Sequence, residues 1–234
     1  MEHDFVYSLI KSKKVYSYHS SEYVKDAGTP ERLKAVKHDL KFHIVDRRNW
    51  SMPQKCIFLD RDGTINEYQG HLSDIGKFKL INGVSQAIKK INNSNYLAVV
   101  ITNQPIISRG GLSFKGLDEI HKKMETLLGN DGAYLDAIYF CPHYPESGFK
   151  GEVKRLKIDC ECRKPKIGLL LQAQKQFNID LKSSWFIGDS ELDIKCGKNA
   201  HCKTILIGKN KCSIKPNYYA KNLLDAVNII LKKI

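Results

Sequence analysis

The amino-acid sequence reads as α/β, a parallel sheet with helices on both faces. Three features say so. Short runs such as 56–59 and 96–101 are apolar throughout, as strands buried on both faces require. Between them, apolar residues recur at helical spacing, as at Val84, Ala87, Ile88 and Ile91. Several of the strand-like runs end in polar or charged residues, and the carboxyl ends of strands are where open α/β sheets keep their reactive groups.

The run 56–59, the helical pattern over 84–91 and the run 96–101 make one βαβ unit. A second helix starts near Ser113 and buries Leu117, Ile120, Met124 and Leu127, a stripe read as core with no further role. A strand follows at 137–141. A helix over 167–177 then leads to a strand at 185–187, a helix over 191–199, a strand at 204–207 and a final helix over 220–231. Residues 1–53 have a different texture: polar and irregular, as in the run 16–21, with a turn at Gly28-Thr29-Pro30 and a short helix over 31–40. The expected division is an N-terminal extension, 1–53, and one folded domain, 54–234. The sequence shows no internal repeat and no low-complexity tract.

Composition narrows the class. With 234 residues, 42% of them hydrophobic, the chain can bury a full core. Its longest apolar runs fall far short of the roughly 20 residues that span a bilayer, so no membrane helix is expected. The N-terminus lacks the basic start and apolar stretch of a secretory signal, and a cytoplasmic location is expected. Seven cysteines, an odd number in a chain too large to need stapling, fit thiols or metal ligands better than disulfides. A formal charge of +13 attracts anions. Without a block of consecutive basic residues, the lysines read as solvated surface and not as a nucleic-acid groove.

The chemistry-bearing pattern begins at Phe58-Leu59-Asp60-Arg61-Asp62-Gly63-Thr64. Two aspartates two apart can both face the crevice as the strand runs out, and the glycine permits a sharp turn. Clustered acids call for a cation, and Mg²⁺ takes oxygen ligands from one or two carboxylates together with substrate phosphate. Gly188-Asp189-Ser190-Glu191-Leu192-Asp193 supplies the distant acid: Asp189 for the metal, and Asp193, one helical turn on, to hold the loop. Thr102 and Asn103 end the second strand with a hydroxyl and backbone N–H groups suited to phosphoryl oxygens. Arg163-Lys164-Pro165 brings cations to an anionic substrate. Singly, each could be a cap, a turn or a surface pair. Four in chain order, three of them at strand ends, point to chemistry.

A second constellation, Cys141-Pro142-His143 with Cys160-Glu161-Cys162, has the Cys₃His composition of a closed structural zinc site. Its one-residue gaps are tighter than in most zinc fingers, and buried cysteines beside a hydrogen-bonded histidine are the alternative. A metal here would fix Arg163 and Lys164, which follow directly.

Together these residues resemble the four motifs of the haloacid dehalogenase superfamily of phosphohydrolases, over residues 55 to about 208. The resemblance implies a Rossmann-like fold without a cap domain and makes 54–234 a phosphatase domain. It implies that Asp60 attacks phosphorus to form an aspartyl-phosphate, with Asp62 as general acid and then base. Mg²⁺ would be held by Asp60, the backbone carbonyl of Asp62, and Asp189, while Thr102 and Lys164 stabilise the phosphoryl group. The cysteine-histidine loop is similar to that of the zinc-containing, capless branch that includes heptose 1,7-bisphosphate 7-phosphatases and histidinol phosphatases, and the long insert 148–159 is more like the former. That branch implies loss of the C7 phosphate from D-glycero-D-manno-heptose 1,7-bisphosphate. A monomer with no nucleic-acid or membrane partner is expected. Tyr68, His71, Asn103, Arg109 and Arg163 would line the sugar site. Pro105 and Ser190 depart from residues frequent in that branch. The other readings are a histidinol-phosphate phosphatase, a nucleic-acid end phosphatase and a non-catalytic zinc-binding module. Residues 23–33 resemble the closing segment of sugar-1-phosphate nucleotidyltransferases without their nucleotide-binding core, so no transferase activity is expected; a disordered leader with a chance Gly-Thr-Pro turn is the alternative. If the segment is such a relic, the pathway is that to nucleotide-activated heptose for surface polysaccharide.

Overall fold

The structure, a computed structural model, describes residues 8–12, 22–41, 44–47, 49–210 and 212–232. The run 16–21, read above as irregular, lies outside the described residues. Ahead of the sheet come α1 (Pro30–Lys41) and a single turn, α2 (Ile44–Arg47). Asp39 of α1 is buried and accepts from Tyr23 and Lys25, which, with His38, hold its carboxyl down at about 2 despite desolvation.

The sheet is built from β1 (Lys55–Leu59), β2 (Tyr96–Asn103), β3 (Ala137–Cys141), β4 (Trp185–Gly188), β5 (Lys203–Ile207) and β6 (Tyr218–Ala220). Their order is β3-β2-β1-β4-β5-β6, and every pairing is parallel. Between strands lie α3 (Val84–Asn92), α4 (Phe114–Asn130), α5 (Gly168–Phe177) and α6 (Glu191–Asn199), and α7 (Leu223–Leu231) closes the chain. Strand alternation divides the core into two layers. Ile57, Leu59, Val100 and Ile187 face Ile88 of α3, Met124 of α4 and Val227 of α7. Cys56, Phe58, Val99 and Phe186 face Leu170 and Ala173 of α5 and Cys196 of α6. Helices thus cover both faces, which is why the strands read as continuous apolar runs. Among the described residues, the excursions after β1 and β3 hold only short 3₁₀ turns, at Ile75–Lys77 and Lys154–Leu156, and no separate cap.

Two expectations are corrected. The last helix begins at Leu223, not at 220, because Asn222 caps it by accepting from the N–H of Asp225, while Tyr218–Ala220 pairs with β5 as a sixth strand. Two tyrosines ahead of an N-cap asparagine fit a strand end better than a first helical turn. In α4, Leu128 is buried where Leu127 was expected, and His121 joins the buried face.

Chain order reverses at β1, whose neighbours are β2 and β4, and ligands of open α/β sheets bind outside the carboxyl ends at such a point. The two strand ends approach closely there. Gly63 has φ +87°, and a Cβ on it would lie 2.3 Å from Asp189 Oδ2. The Gly63→Ala variant should therefore lose about 1–3 kcal/mol in urea denaturation, from left-handed strain and the clash. Gly129→Ala in α4, with nothing within 4 Å of the added atom, should gain about 0.5–1 kcal/mol. Equal midpoints for the two variants would contradict this account of Gly63.

Candidate active site

Asp60 follows β1 directly, and its N–H donates to Ile187 O on β4 at 3.0 Å, which ties the two strand ends together. Lys164 reaches the same point from the loop before α5. Asn103, the last residue of β2, clamps that loop by accepting from Lys164 N at 3.0 Å and donating to Lys164 O at 3.2 Å. The Lys164 ammonium spends its three protons on Asp60 Oδ1 at 2.5 Å, Asp193 Oδ1 at 2.6 Å and Ile101 O at 2.9 Å. Burial alone would push this ammonium down, but Asp193 and Asp60 hold it well above its ordinary range. Asp193 Oδ2 accepts from the N–H and hydroxyl of Ser190, so Asp193 both holds the loop, as the sequence indicated, and fixes Lys164.

Asp60, Asp189 and Asp193 offer carboxylate oxygens within 4.8 Å of one another. Three acids thus face one ammonium, and the remaining positive charge must come from elsewhere. Burial pushes Asp60 up to about 8, with Lys164 opposing and Asp193 and Asp62 adding to the rise. Asp189 is pushed up to about 6 by burial and by Asp193. Asn210, after β5, donates to Asp189 O at 2.8 Å, a contribution with no signal in a polar loop far along the sequence.

Asp62 is held differently. Desolvation opposes its charge, but Arg61, Asn66 and Gln104 donate to it and keep its carboxyl below the usual range. Arg61 Nη2 reaches both oxygens at 2.9 and 2.8 Å, Asn66 Nδ2 reaches Oδ1 at 3.0 Å, and Gln104 Nε2 reaches Oδ2 at 2.8 Å. Its carboxylate is not among the grouped acids Asp60, Asp189 and Asp193. Gln104 also donates to Thr102 Oγ1 at 2.9 Å, linking two motif residues. Arg61 stood in the quoted motif without a role, and Gln104 directly follows Thr102 and Asn103; nothing in a sequence says which way such side chains turn.

A cleft of about 820 Å³ opens over these groups, lined by Asp60, Asp62, Thr102, Asn103, Lys164 and Asp189 and, in its walls, Tyr68, His71 and Arg163. Pro105 and Ser190, the two departures, line it as well. Arg109 is the exception among the expected site residues. It stands behind His71, whose Nε2 it contacts, with its guanidinium 4.1 Å from the centre of the Tyr144 ring. Arg163 lies over the same ring at 5.0 Å. Burial and the Arg109 charge lower His71.

The second constellation closes on a common centre. Cys141, His143, Cys160 and Cys162 place their ligand atoms within 4.8 Å of one another. The sulfurs are 3.1, 3.3 and 3.5 Å apart, and His143 Nδ1 is 3.2 Å from Cys162 Sγ and 3.7 Å from Cys141 Sγ. Disulfides would need about 2.05 Å, whereas a tetrahedron of thiolates at about 2.3 Å from a metal has edges near 3.7 Å. Four ligand atoms so placed could hold one metal ion. Arg163 Nη1 donates to His143 O at 3.4 Å, so the cluster and the cleft wall share a residue.

The HAD-hydrolase-like family model matches residues 161–226. Among curated proteins, the D-glycero-beta-D-manno-heptose-1,7-bisphosphate 7-phosphatase of Pasteurella multocida is 38% identical over 183 residues, 76% of this chain and 97% of that relative. Its namesake from Escherichia coli K12 is 35% identical over 172 residues, 74% of this chain and 87% of the relative. Among solved structures, the D,D-heptose 1,7-bisphosphate phosphatase of B. bronchiseptica, complexed with magnesium and phosphate, matches with a TM-score of 0.66 at 26% identity, covering 77% of this chain and 100% of that one. Relatives this similar over most of their length, on a fold that brings the four motif groups together, show that the chain belongs to the haloacid dehalogenase superfamily of hydrolases, in the branch of the heptose-bisphosphate phosphatases.

Proposed function

We propose that the protein is a Mg²⁺-dependent phosphomonoesterase that removes the C7 phosphate of D-glycero-D-manno-heptose 1,7-bisphosphate. The observation that carries this reading is the grouping of Asp60, Asp189 and Asp193 around Lys164, with Asp62 held ionised at the same strand end. Asp60 attacks phosphorus in line; the bond from phosphorus to the sugar oxygen breaks, and Asp62 in its acid form gives that oxygen a proton. Water then attacks the aspartyl-phosphate, Asp62 takes the proton, and phosphate leaves with Asp60 restored. The carboxylate arrangement of Asp62, with Arg61, Asn66 and Gln104 donating to it, is the form the second step requires. Thr102, whose hydroxyl accepts from Gln104 and keeps its own proton, would donate to a phosphoryl oxygen, and Lys164, bonded within the site, lends its positive charge. The acid-rich donor set fits Mg²⁺, which Asp60, the Asp62 backbone carbonyl and Asp189 would hold; when bound, it would supply positive charge to the phosphoryl group.

The wall of the cleft favours a bisphosphate. Arg163 lines it and offers a cation to a second anionic group. The same charge repels the amine of histidinol phosphate. Tyr68, His71 and Asn103 would meet the sugar. The cleft-lining residues run from Asp60 to Asn210, so residues 1–53 are read as an extension outside the catalytic unit. Free thiols and a phosphorylated substrate fit the cytoplasm.

We assign zinc to the cysteine-histidine cluster, as a structural ion. Four protein ligands leave no open position, so it would fold the loop and fix Arg163 and Lys164. Metal analysis of the purified protein should find about one zinc per chain, and Cys162→Ser should lose it together with several degrees of melting temperature. A folded wild-type protein with no bound zinc would contradict the assignment. The substrate is tested by phosphate release with Mg²⁺. The heptose bisphosphate should exceed histidinol phosphate in kcat/KM by about 100-fold or more, and a preference for histidinol phosphate would end the heptose reading.

A further inference from the structure

Arg61, between the two motif aspartates, is among the largest fully buried side chains, at 0% exposure. A buried guanidinium must find an anion and partners for its remaining N–H groups. Asp62 is the anion. On the other side, Arg61 Nη1 lies 3.2 Å from Nε2 of His121, a residue of α4 that is 7% exposed and does not line the cleft. A guanidinium only donates, so Nε2 accepts and the ring is neutral with its proton on Nδ1. Burial, then the charge of Arg61, pushes His121 down to about 4, in keeping with a neutral ring. Phe140 of β3 packs against it edge-on, with ring centres 5.9 Å apart, and limits how the imidazole can turn.

The fork of Arg61 is therefore fixed at both ends. Nη2 and Nε hold the Asp62 carboxylate, with Nε at 3.2 Å from Oδ1, while Nη1 is anchored on α4. A point-like ammonium could not hold both partners in one plane. We propose that His121 is a positioning residue for the reaction: by accepting from Arg61 it sets the guanidinium plane, and that plane sets the Asp62 carboxylate at the floor of the cleft. The inference rests on the reading of Asp62 as the acid and base. It also gives α4, whose buried stripe reads as plain core, a part in the chemistry.

Steady-state kinetics test it on two substrates: the heptose bisphosphate, whose alkoxide leaving group needs a proton, and p-nitrophenyl phosphate, whose leaving group needs little help. His121→Leu keeps the packing and removes the acceptor. It should lower kcat on the sugar phosphate about tenfold or more with KM within about twofold, and lower kcat on p-nitrophenyl phosphate less. His121→Gln, whose amide oxygen can accept from Arg61, should recover most of the loss. If His121→Leu does not fold, His121→Asn, too short to reach the guanidinium, must show the same split. An unchanged kcat, an equal loss on both substrates, or no recovery with Gln would overturn the inference. Asp62→Asn is measured alongside. If it is impaired while His121→Leu is not, the inference alone falls; if it turns over the sugar phosphate normally, the acid-base reading falls and takes the inference with it.

Discussion

The whole site depends on one buried ammonium shared among acids. Lys164 is bonded to Asp60 and Asp193 inside a pocket that also holds Asp189, and all three of its protons are taken. One positive charge cannot neutralise three carboxylates, and burial makes the remainder costly. Burial first, and the neighbouring acids after it, push Asp60 up to about 8 and Asp189 up to about 6. The imbalance explains the chemistry. A nucleophile surrounded by negative charge meets a negative phosphate only if positive charge is gathered around both.

The fold delivers the parts of this arrangement independently and then locks them. The order reversal at β1 brings the ends of β1, β2 and β4 side by side, which sets Asp60, Thr102 and Asp189. Lys164 is on no regular element; Asn103 grips its backbone from the end of β2, and the cysteine-histidine cluster ends two residues before it. The loop that carries the cluster is bound to the segment after β2 as well. Val153 N donates to Ser108 O at 2.9 Å, and a Cβ on Gly110 would fall 2.0 Å from Gly151 O. An ion at the cluster would thus steady both the ammonium and the Arg109–Tyr144–Arg163 stack.

Much of this could be read from the sequence because strand and helix periods follow from which faces are buried. Cys56 and Phe58 turn to one layer and Ile57 and Leu59 to the other, so the run had to be apolar throughout. Three of the four motifs were legible for the same reason, since residues that end parallel strands meet at one edge. What escaped was set by side-chain direction and tertiary pairing. Arg61 looked like a spacer between two acids, His121 like one position in a core stripe, and Asn210 like a loop residue. Arg109 was expected in the cleft, yet aromatic stacking on Tyr144 and Phe149 holds it one residue behind. The strand Tyr218–Ala220 was missed because three residues are too few for any period to show.

The charge imbalance is tested most directly by melting curves across pH on protein dialysed free of magnesium, with and without added Mg²⁺. Asp60, at about 8, and Asp189, at about 6, bind their protons more tightly folded than unfolded, where an aspartate titrates near 3.8. Their contribution is therefore fully present below the unfolded value and is lost as pH rises toward about 8. Mg²⁺ needs the ionised acids, so its stabilisation should be small near pH 5 and grow through pH 8, and Asp189→Asn should flatten that growth. A Mg²⁺ effect that is absent, or the same at both ends of the range, would contradict the account.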